Sequence, residues 1–182
     1  MKRYITYFLS SIVITTILSC TSNVDFDQIN NIEINQNFSS PFIYFNIDQN
    51  RFLNANGSSE IPTITDISVF DIFDTDYVQD NLVKANFNFE IENTFNRNFE
   101  LELSFLNADN AITNSFVINV PNNSKVTHLQ VFEGLDLLSL KFSQKLRVSV
   151  NLQPSSNSSM LSEDAEMKLI IKSSANLIFK VN

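Results

Sequence analysis

The stretch KANFNFEIENTFNRNFELELSF, residues 84–105, contains the clearest structural signal in this chain. In its first half apolar residues alternate with Asn and Glu, and in its second half they alternate with Glu and Ser. Strict alternation is typical of strands with one face in a core and the other in water, whereas a helix repeats every 3.6 residues. We therefore predict two half-buried antiparallel strands, joined as a hairpin by the polar turn at residues 93–98.

Shorter apolar or alternating segments lie on both sides of this stretch, at the spacing of about 8–12 residues that is typical of sandwiches and barrels. They cover residues 42–47, 116–120, 129–131, 138–142, 146–152, 167–171 and 177–181. The pattern predicts an all-β fold, an antiparallel β-sandwich of the immunoglobulin-like kind with about eight to ten strands. Residues 66–83 fit two alternatives equally, a buried strand followed by a loop or a short helix at one end of the sandwich.

The turns of this chain have an unusual composition, because the sequence contains 25 Asn and only two Gly. Asn tolerates the left-handed backbone conformation and caps turns with its side chain. We therefore expect Asn to occupy turn positions that Gly takes in most proteins.

The N-terminus has the organisation of a signal peptide. Lys2 and Arg3 precede an uncharged, largely apolar segment at residues 4–19, which is shorter than the ~20 apolar residues that span a bilayer comfortably. Cys20, the only cysteine, follows directly after Ile17-Leu18-Ser19. Residues 17–20 resemble the lipobox of bacterial lipoproteins, with Ile17 in place of the usual Leu and Leu18 in place of the usual small residue. An ordinary secretory signal and an uncleaved anchor are the alternatives.

The lipobox resemblance implies a covalent lipid on Cys20. Cleavage before Cys20, a thioether-linked diacylglyceride and acylation of the new amino group, for example with palmitate, would follow. Two or three acyl chains attach a protein to a membrane almost permanently. The only thiol would then be consumed, which leaves no disulfide. The expected organisation is a signal peptide at residues 1–19, a lipidated N-terminus and tether at residues 20–40, and a β-sandwich domain at residues 41–182.

The composition of the chain is similar to that of uncharacterised envelope lipoproteins of Bacteroidota. This resemblance implies an outer-membrane lipoprotein of the cell envelope that faces the periplasm or the cell surface, and Thr21 is compatible with such sorting. Loss of Lys2 and Arg3 with the signal peptide would change the net charge from −8 to about −10. An acidic chain is a poor partner for nucleic acid and for anionic lipid headgroups.

The densest acidic group contains Asp71, Asp74, Asp76 and Asp80. Carboxylate oxygens are ligands that Ca²⁺ prefers, so Asp74, Asp76 and Asp80 are weak candidates for a calcium site. The glycine and the terminal glutamate of an EF-hand loop are missing. A solvated acidic loop is the favoured interpretation, and no other metal site is predicted.

Catalytic signatures are weak throughout the sequence. His128 is the only histidine, which makes zinc or Cys–His chemistry improbable, and we predict that it lies on a strand surface. Two carboxylates among Glu90, Glu92, Glu100 and Glu102 could in principle form a glycosidase pair, but these residues alternate along strand faces that should be exposed. We expect no enzyme and no cofactor beyond the covalent lipid.

Few aromatic residues outside the signal segment are suited to sugar stacking. Trp is absent from the chain, and Tyr44 and Tyr77 are the only tyrosines after residue 19. Both are as suitable for a core as for a surface. The sequence favours a lipid-anchored, non-catalytic binding or assembly module that presents a sheet face or loops to a protein or glycan partner. The alternative is an accessory subunit of an outer-membrane complex that is engaged by β-augmentation. A glycosidase-like enzyme is a more distant alternative.

Overall fold

The computed structural model describes residues 34–155, 159–161 and 166–181. These residues form eight strands, two short α-helices and two 3-10 turns, the latter at Gln49–Phe52 and Ile72–Asp74. The helices are α1 (Asp76–Asn81) and α2 (Gly134–Lys141). The strands are β1 (Ile34–Asp48), β2 (Thr63–Val69), β3 (Leu82–Asn93), β4 (Phe99–Leu106), β5 (Ile112–Val120), β6 (Ser124–Phe132), β7 (Lys145–Leu152) and β8 (Lys168–Val181).

The strands form two four-stranded antiparallel sheets that pack as a sandwich. The first sheet has the order β1-β8-β3-β6 and the second has the order β2-β7-β4-β5. The predicted all-β antiparallel sandwich is confirmed, with eight strands. Its pairing is nested, because β1 pairs with β8, β2 with β7, β3 with β6 and β4 with β5. This is the arrangement of an eight-stranded jelly roll.

The observed topology differs from the predicted immunoglobulin-like strand order. In the immunoglobulin fold, one sheet contains strands A, B, E and D and the other contains C, F and G. Here the last strand lies between the first and the third. Alternation along a strand reports which of its faces is buried, but it does not report which distant strand lies beside it.

The predicted hairpin of residues 84–105 is also corrected. Its two strands exist with the expected burial, but β3 pairs with β6 and β8 whereas β4 pairs with β5 and β7. The connection at residues 94–98 therefore crosses from one sheet to the other. Asn93 shapes this corner, because its Nδ2 donates to the Arg97 carbonyl at 2.9 Å and its Oδ1 accepts from the Phe95 amide at 2.8 Å. Phe95 is fully buried against Phe52 and Phe99, which a hairpin turn in water would not allow.

Residues 138–142, predicted as a strand, belong instead to the end of α2 and the residue after it. Leu137 and Leu140 are buried whereas Leu138 is exposed, which is the spacing of a helix face and not of a strand. Residues 66–83 contain a strand end and the predicted short helix, because β2 ends at Val69 and α1 follows, but the strand is exposed and not buried as the first alternative had it. No helix in the described ranges is both long and apolar enough to cross a bilayer.

Two strand boundaries differ from the sequence prediction. The two predicted C-terminal strands are one continuous strand, β8. β1 begins at Ile34, so residues 34–40 belong to the sandwich and not to the tether. Cys20, the signal segment and the rest of the tether lie outside the described residues.

Aromatic rings fill the space between the two sheets. Five of them form a connected cluster with centroid separations of 4.7–6.3 Å, namely Phe42, Phe70, Phe87, Phe105 and Phe132. Edge-to-face and tilted contacts of this kind add to the free energy gained by burying apolar area. The rings come from both sheets, so the cluster holds the two layers together.

The expected use of Asn in turns is observed at two positions. Asn110 and Asn123 have φ angles of 62° and 44°, in the left-handed region. Asn110 ends the β4–β5 turn, and Asn123 lies between β5 and β6. Asn therefore takes the place that Gly has in many tight turns.

Candidate functional site

The outer face of the first sheet brings together side chains from all four of its strands. Tyr44 on β1 lies opposite Lys172 on β8, Lys172 lies opposite Glu90 on β3, and Glu90 lies opposite Thr127 on β6. Residues directly opposite one another in antiparallel strands project from the same face. These four residues therefore form one row across the whole sheet.

The neighbouring rows on the same face are also polar towards the centre. Ser174 and Asn88 are opposite each other in the next row, followed by Asn176 and Asn86 in the row after that. The Oδ1 atoms of Asn86 and Asn176 are buried without a hydrogen-bond partner. The exposed Asn88 and Ser174 offer both donors and acceptors at the centre of the face.

Three adjoining depressions lie on this outer face, with volumes of about 260, 570 and 220 Å³. Glu90 lines all three of them. The side chains that line two of them each are Asn88, Thr127, Lys172 and Ser174. Together they supply a carboxylate, an ammonium group, an amide and two hydroxyl groups within one shallow surface.

Tyr44 gives this polar surface an aromatic margin. Its side chain is 63% exposed, and it lies on the edge strand β1 next to Lys172. Tyr77, the other tyrosine of the described ranges, has a different environment. Its ring packs against Phe179 at 5.3 Å and its hydroxyl donates to Gln36 Oε1 at 3.4 Å. Of the two tyrosines in the described ranges, Tyr44 is therefore the one that presents its ring to a ligand on this face.

The four glutamates considered as a glycosidase set are divided between the two sheets. Glu90 and Glu92 project from the first sheet, and Glu92 pairs with Lys125 at 3.1 Å. Glu100 and Glu102 project from β4 of the second sheet, on the opposite side of the sandwich. Packed sheets are ~10 Å apart before side chains are added, whereas glycosidase carboxylates are ~5–9.5 Å apart. No pair taken from both sheets can act on one bond.

The acidic group near α1 is spread over separate contacts. Both carboxylate oxygens of Asp74 accept from Gln144 Nε2 at 3.2 Å, and Asp76 lies in the first turn of α1. Asp80 lies near Lys141, where burial lowers the pKa of the lysine and the charge of Asp80 opposes that shift. Within the described ranges no three His, Cys, Asp or Glu side chains converge as metal ligands. Asp74, Asp76 and Asp80 are therefore not brought into one site.

His128 points inward, which differs from the predicted strand surface. Its ring is half-buried and stacks on Phe116, with a centroid separation of 5.6 Å and an interplanar angle of 13°. The neighbouring Leu129, predicted to face the core, is 55% exposed on the outer face. The β6 segment alternates weakly in sequence, so the periodicity did not identify its buried side.

No protein-family model matches the chain, and no curated protein matches it. In three of the solved structures that match, the similarity covers part of a larger chain. A protein of Parabacteroides distasonis assigned as secreted is 13% identical, with a TM-score of 0.49 over 63% of this chain and 38% of that one. A structure of infectious bursal disease virus is 7% identical, with a TM-score of 0.42 over 81% and 32%. An exo-beta-agarase is 11% identical, with a TM-score of 0.43 over 76% and 22%.

These comparisons are limited in what they show. The chain spans well under half of the length of each of these three solved chains. At such identities and TM-scores below 0.5, the likenesses carry no argument about ligand, substrate or activity. The candidate site is therefore judged on its own geometry.

Proposed function

We propose that this protein is a lipid-anchored envelope protein that binds a glycan on the outer face of its first sheet, without catalysing a reaction. The observation that carries the proposal is the row in which Lys172, Glu90 and Thr127 line the depressions of that face and Tyr44 lies beside them on β1. Small-ligand sites use a few placed polar groups, and an aromatic ring combines apolar area with rigidity. A sugar presents hydroxyl groups to the polar side chains and a C–H face to the aromatic ring.

A glycan suits this surface better than a protein does. The cores of protein interfaces are depleted in charged residues and enriched in aromatic residues and Met. Here the centre of the face carries Glu90 and Lys172, beside which the apolar Ile170 lies on β8 and Leu129 on β6. Hydroxyl groups can exchange hydrogen bonds with both charged side chains.

The anchoring part of the proposal depends on the lipobox resemblance at Cys20. A lipid there would hold the sandwich in the outer membrane, with the sheet face available to polysaccharide in the periplasm or at the surface. The non-catalytic part is supported by the division of the four glutamates between opposite faces, which excludes mixed pairs, and by the ion pairs that Glu92 and Glu102 form with Lys125 and Arg147. An accessory role by β-augmentation would use a different region, the free edge of β2.

The glycan proposal is tested by applying the full chain, purified in mild detergent, to an array of bacterial and plant polysaccharide fragments. We expect a restricted set of fragments to bind, and Tyr44→Ala and Lys172→Ala each to weaken binding at least tenfold. Tyr77→Ala is the matched control, because it removes a tyrosine of similar exposure away from the face. Absence of any bound fragment, or equal loss with Tyr77→Ala, would refute the proposed site.

The non-catalytic part has its own measurement. Each bound fragment is incubated with the protein and then analysed by mass spectrometry. We expect the fragments to be recovered unchanged. Shortened products that disappear in Glu90→Gln would show that the face is an active site.

A further inference from the structure

Strand β2 has one free edge. It is the outermost strand of the second sheet, and in the described part of the chain it pairs only with β7. The Leu152 amide donates to the Pro62 carbonyl, and the Phe70 amide donates to the Gln144 carbonyl, both at 2.8 Å. These two bonds, one at each end of β2, show that its even-numbered residues exchange hydrogen bonds with β7.

The odd-numbered residues of β2 therefore direct their backbone groups away from β7. In an antiparallel pair, alternate residues point their N–H and C=O groups to opposite sides of the strand. Thr63, Thr65, Ile67 and Val69 thus present a row of donors and acceptors to the open side. The Ile67 amide is occupied by Asp66 Oδ1 at 2.9 Å. The amides of Thr65 and Val69 flank that position.

Of the devices that protect edge strands from pairing, β2 has an inward-facing charge, Asp66, but not those that β1 and β6 carry. β1 contains Pro41 and a register shift between Pro41 and Tyr44, and β6 carries Lys125. β2 has neither proline, lysine nor a register shift, and its Ile67 and Val69 side chains are exposed. It is therefore an edge that another strand can join.

Two cavities open beside β2. They lie along the gap between β1 and β2, which we call the seam. The larger cavity has a volume of about 230 Å³, and Phe42, Phe70 and Phe87 are among the residues that line it. The smaller one, of about 60 Å³, is lined by residues including Ile64 and Asp66. Inward-facing residues of β2 line both cavities, since Ser68 belongs to the larger one.

We propose that an extended peptide segment of a partner protein adds to β2 in antiparallel orientation and fills the seam. Side chains of an added strand alternate between the two faces, so every second one points into the seam. The segment would place a large apolar side chain opposite Ser68, a basic one opposite Asp66 and a small apolar one opposite Ile64. Its recognition pattern is therefore large apolar, basic and small apolar at positions i, i+2 and i+4.

Charge selects the partner. Asp66 is exposed, and although Arg51 lines the same smaller cavity, the two side chains form no ion pair. Asp71 adds a second exposed carboxylate between Phe70 and Ile72, which both line the larger cavity. A second copy of this chain is disfavoured, because β2 against β2 would set like charges near each other on two chains of net charge −8. A basic or neutral strand from another protein fits.

The probe for this site is the peptide acetyl-Thr-Phe-Thr-Lys-Thr-Val-Thr-amide, titrated into the ¹⁵N-labelled full chain in mild detergent. We expect chemical-shift changes to concentrate at residues 63–69, together with slower hydrogen exchange of the Thr65 and Val69 amides. The same peptide with Glu in place of Lys should bind at least fivefold more weakly. Shift changes centred on the outer face of the first sheet would refute the seam as the site.

Two variants distinguish backbone pairing along the edge of β2 from nonspecific binding of the peptide. Thr65→Pro removes an outward amide and leaves the hydrogen bonds to β7, because proline is tolerated where the N–H faces away from the sheet. We expect at least tenfold weaker peptide binding, whereas Thr65→Ala should bind as the wild type does. Asp66→Lys should reverse the preference, so that the Glu peptide binds more tightly than the Lys peptide. This second variant tests the proposal even if Thr65→Pro fails to fold.

The remaining outcomes are equally decisive. Wild-type affinity in folded Thr65→Pro, or unchanged preference in Asp66→Lys, overturns the proposal. A dimer in sedimentation that Thr65→Pro abolishes would assign the edge to self-association instead. Tyr44→Ala should leave peptide binding unchanged, because the seam does not depend on the proposed glycan face.

Discussion

Arg97 and Glu60 form a buried bidentate ion pair. The Nη1–Oε1 and Nη2–Oε2 distances are 3.0 and 3.2 Å, and Arg97 is only 6% exposed. Arg97 Nε also donates to the Gln153 carbonyl at 2.9 Å, and Glu60 Oε1 accepts from the Leu161 amide at 2.8 Å. The pair thus joins the segment before β2, the corner between β3 and β4, and the segment after β7.

Removal of the arginine should be costly. We expect Arg97→Met to lower the free energy of unfolding by about 3–5 kcal/mol, because it leaves the Glu60 carboxylate without its cation and two carbonyls, those of Gln153 and Ser159, without the Arg97 donors. Lys125→Met is the control, since the Lys125–Glu92 pair is exposed and should contribute no more than about 1 kcal/mol. Urea denaturation followed by circular dichroism measures both. Similar losses in the two variants would contradict a structural role for the pair.

Lys141 should make stability depend on pH. Burial lowers the pKa of this lysine below its ordinary value of 10.5. Between the lowered pKa and 10.5 the unfolded chain binds more protons than the folded one, so the free energy of unfolding should rise with pH across that window. Lys141→Met removes this contribution. Urea denaturation from neutral pH to pH 10.5 measures the free energy of unfolding of both proteins. The value for the wild type minus the value for Lys141→Met should therefore increase as pH rises. A constant or falling difference would be inconsistent with the burial.

The two faces of β6 can be distinguished by matched truncations. Phe132 is buried among the core rings, so Phe132→Ala should cost about 3–5 kcal/mol. Leu129 faces out, so Leu129→Ala should change stability by no more than about 0.5 kcal/mol. Thermal or urea denaturation of both variants checks the assignment. A larger cost for Leu129→Ala would mean that β6 presents the other face to the core.

The proposed lipidation of Cys20 is open to a direct test in cells. We expect Cys20→Ala to release the protein from membranes or to leave the precursor uncleaved, because no thioether can form. Cell fractionation and labelling with an alkyne fatty acid measure both effects, and Ser19→Ala is the control that keeps the cysteine and a small residue before it. Unchanged fractionation and labelling in Cys20→Ala would exclude the lipoprotein assignment.

Alternation in the sequence was a good guide to burial and a poor guide to pairing. Phe87, Phe89 and Ile91 are all buried, as their spacing predicted. The partners of β3 are β6 and β8, and β8 lies far along the chain, so no local pattern could specify it. The segment that became α2 is a short apolar run, for which periodicity does not distinguish a helix from a strand.

The candidate binding face was only partly visible in the sequence. The alternation of residues 84–92 predicted that Glu90 faces water. Lys172 and Ser174 alternate with buried residues in the same way. The row that joins them exists only because β8 lies between β1 and β3. A site assembled from three or four strands depends on strand order, which the sequence pattern did not contain.

The central position of β8 also determines when the molecule can fold. The N-terminal residues emerge first during synthesis, but in the described part of the chain β1 and β3 are joined through the 14 residues of β8. Until β8 has been synthesised, β1 is separate from the β3–β6 pair and the apolar faces of both are uncovered. Folding of the first sheet must therefore wait for residues 168–181, and pairing of such distant segments is intrinsically slow. A chaperone that holds the nascent chain would have its greatest effect before β8 is available.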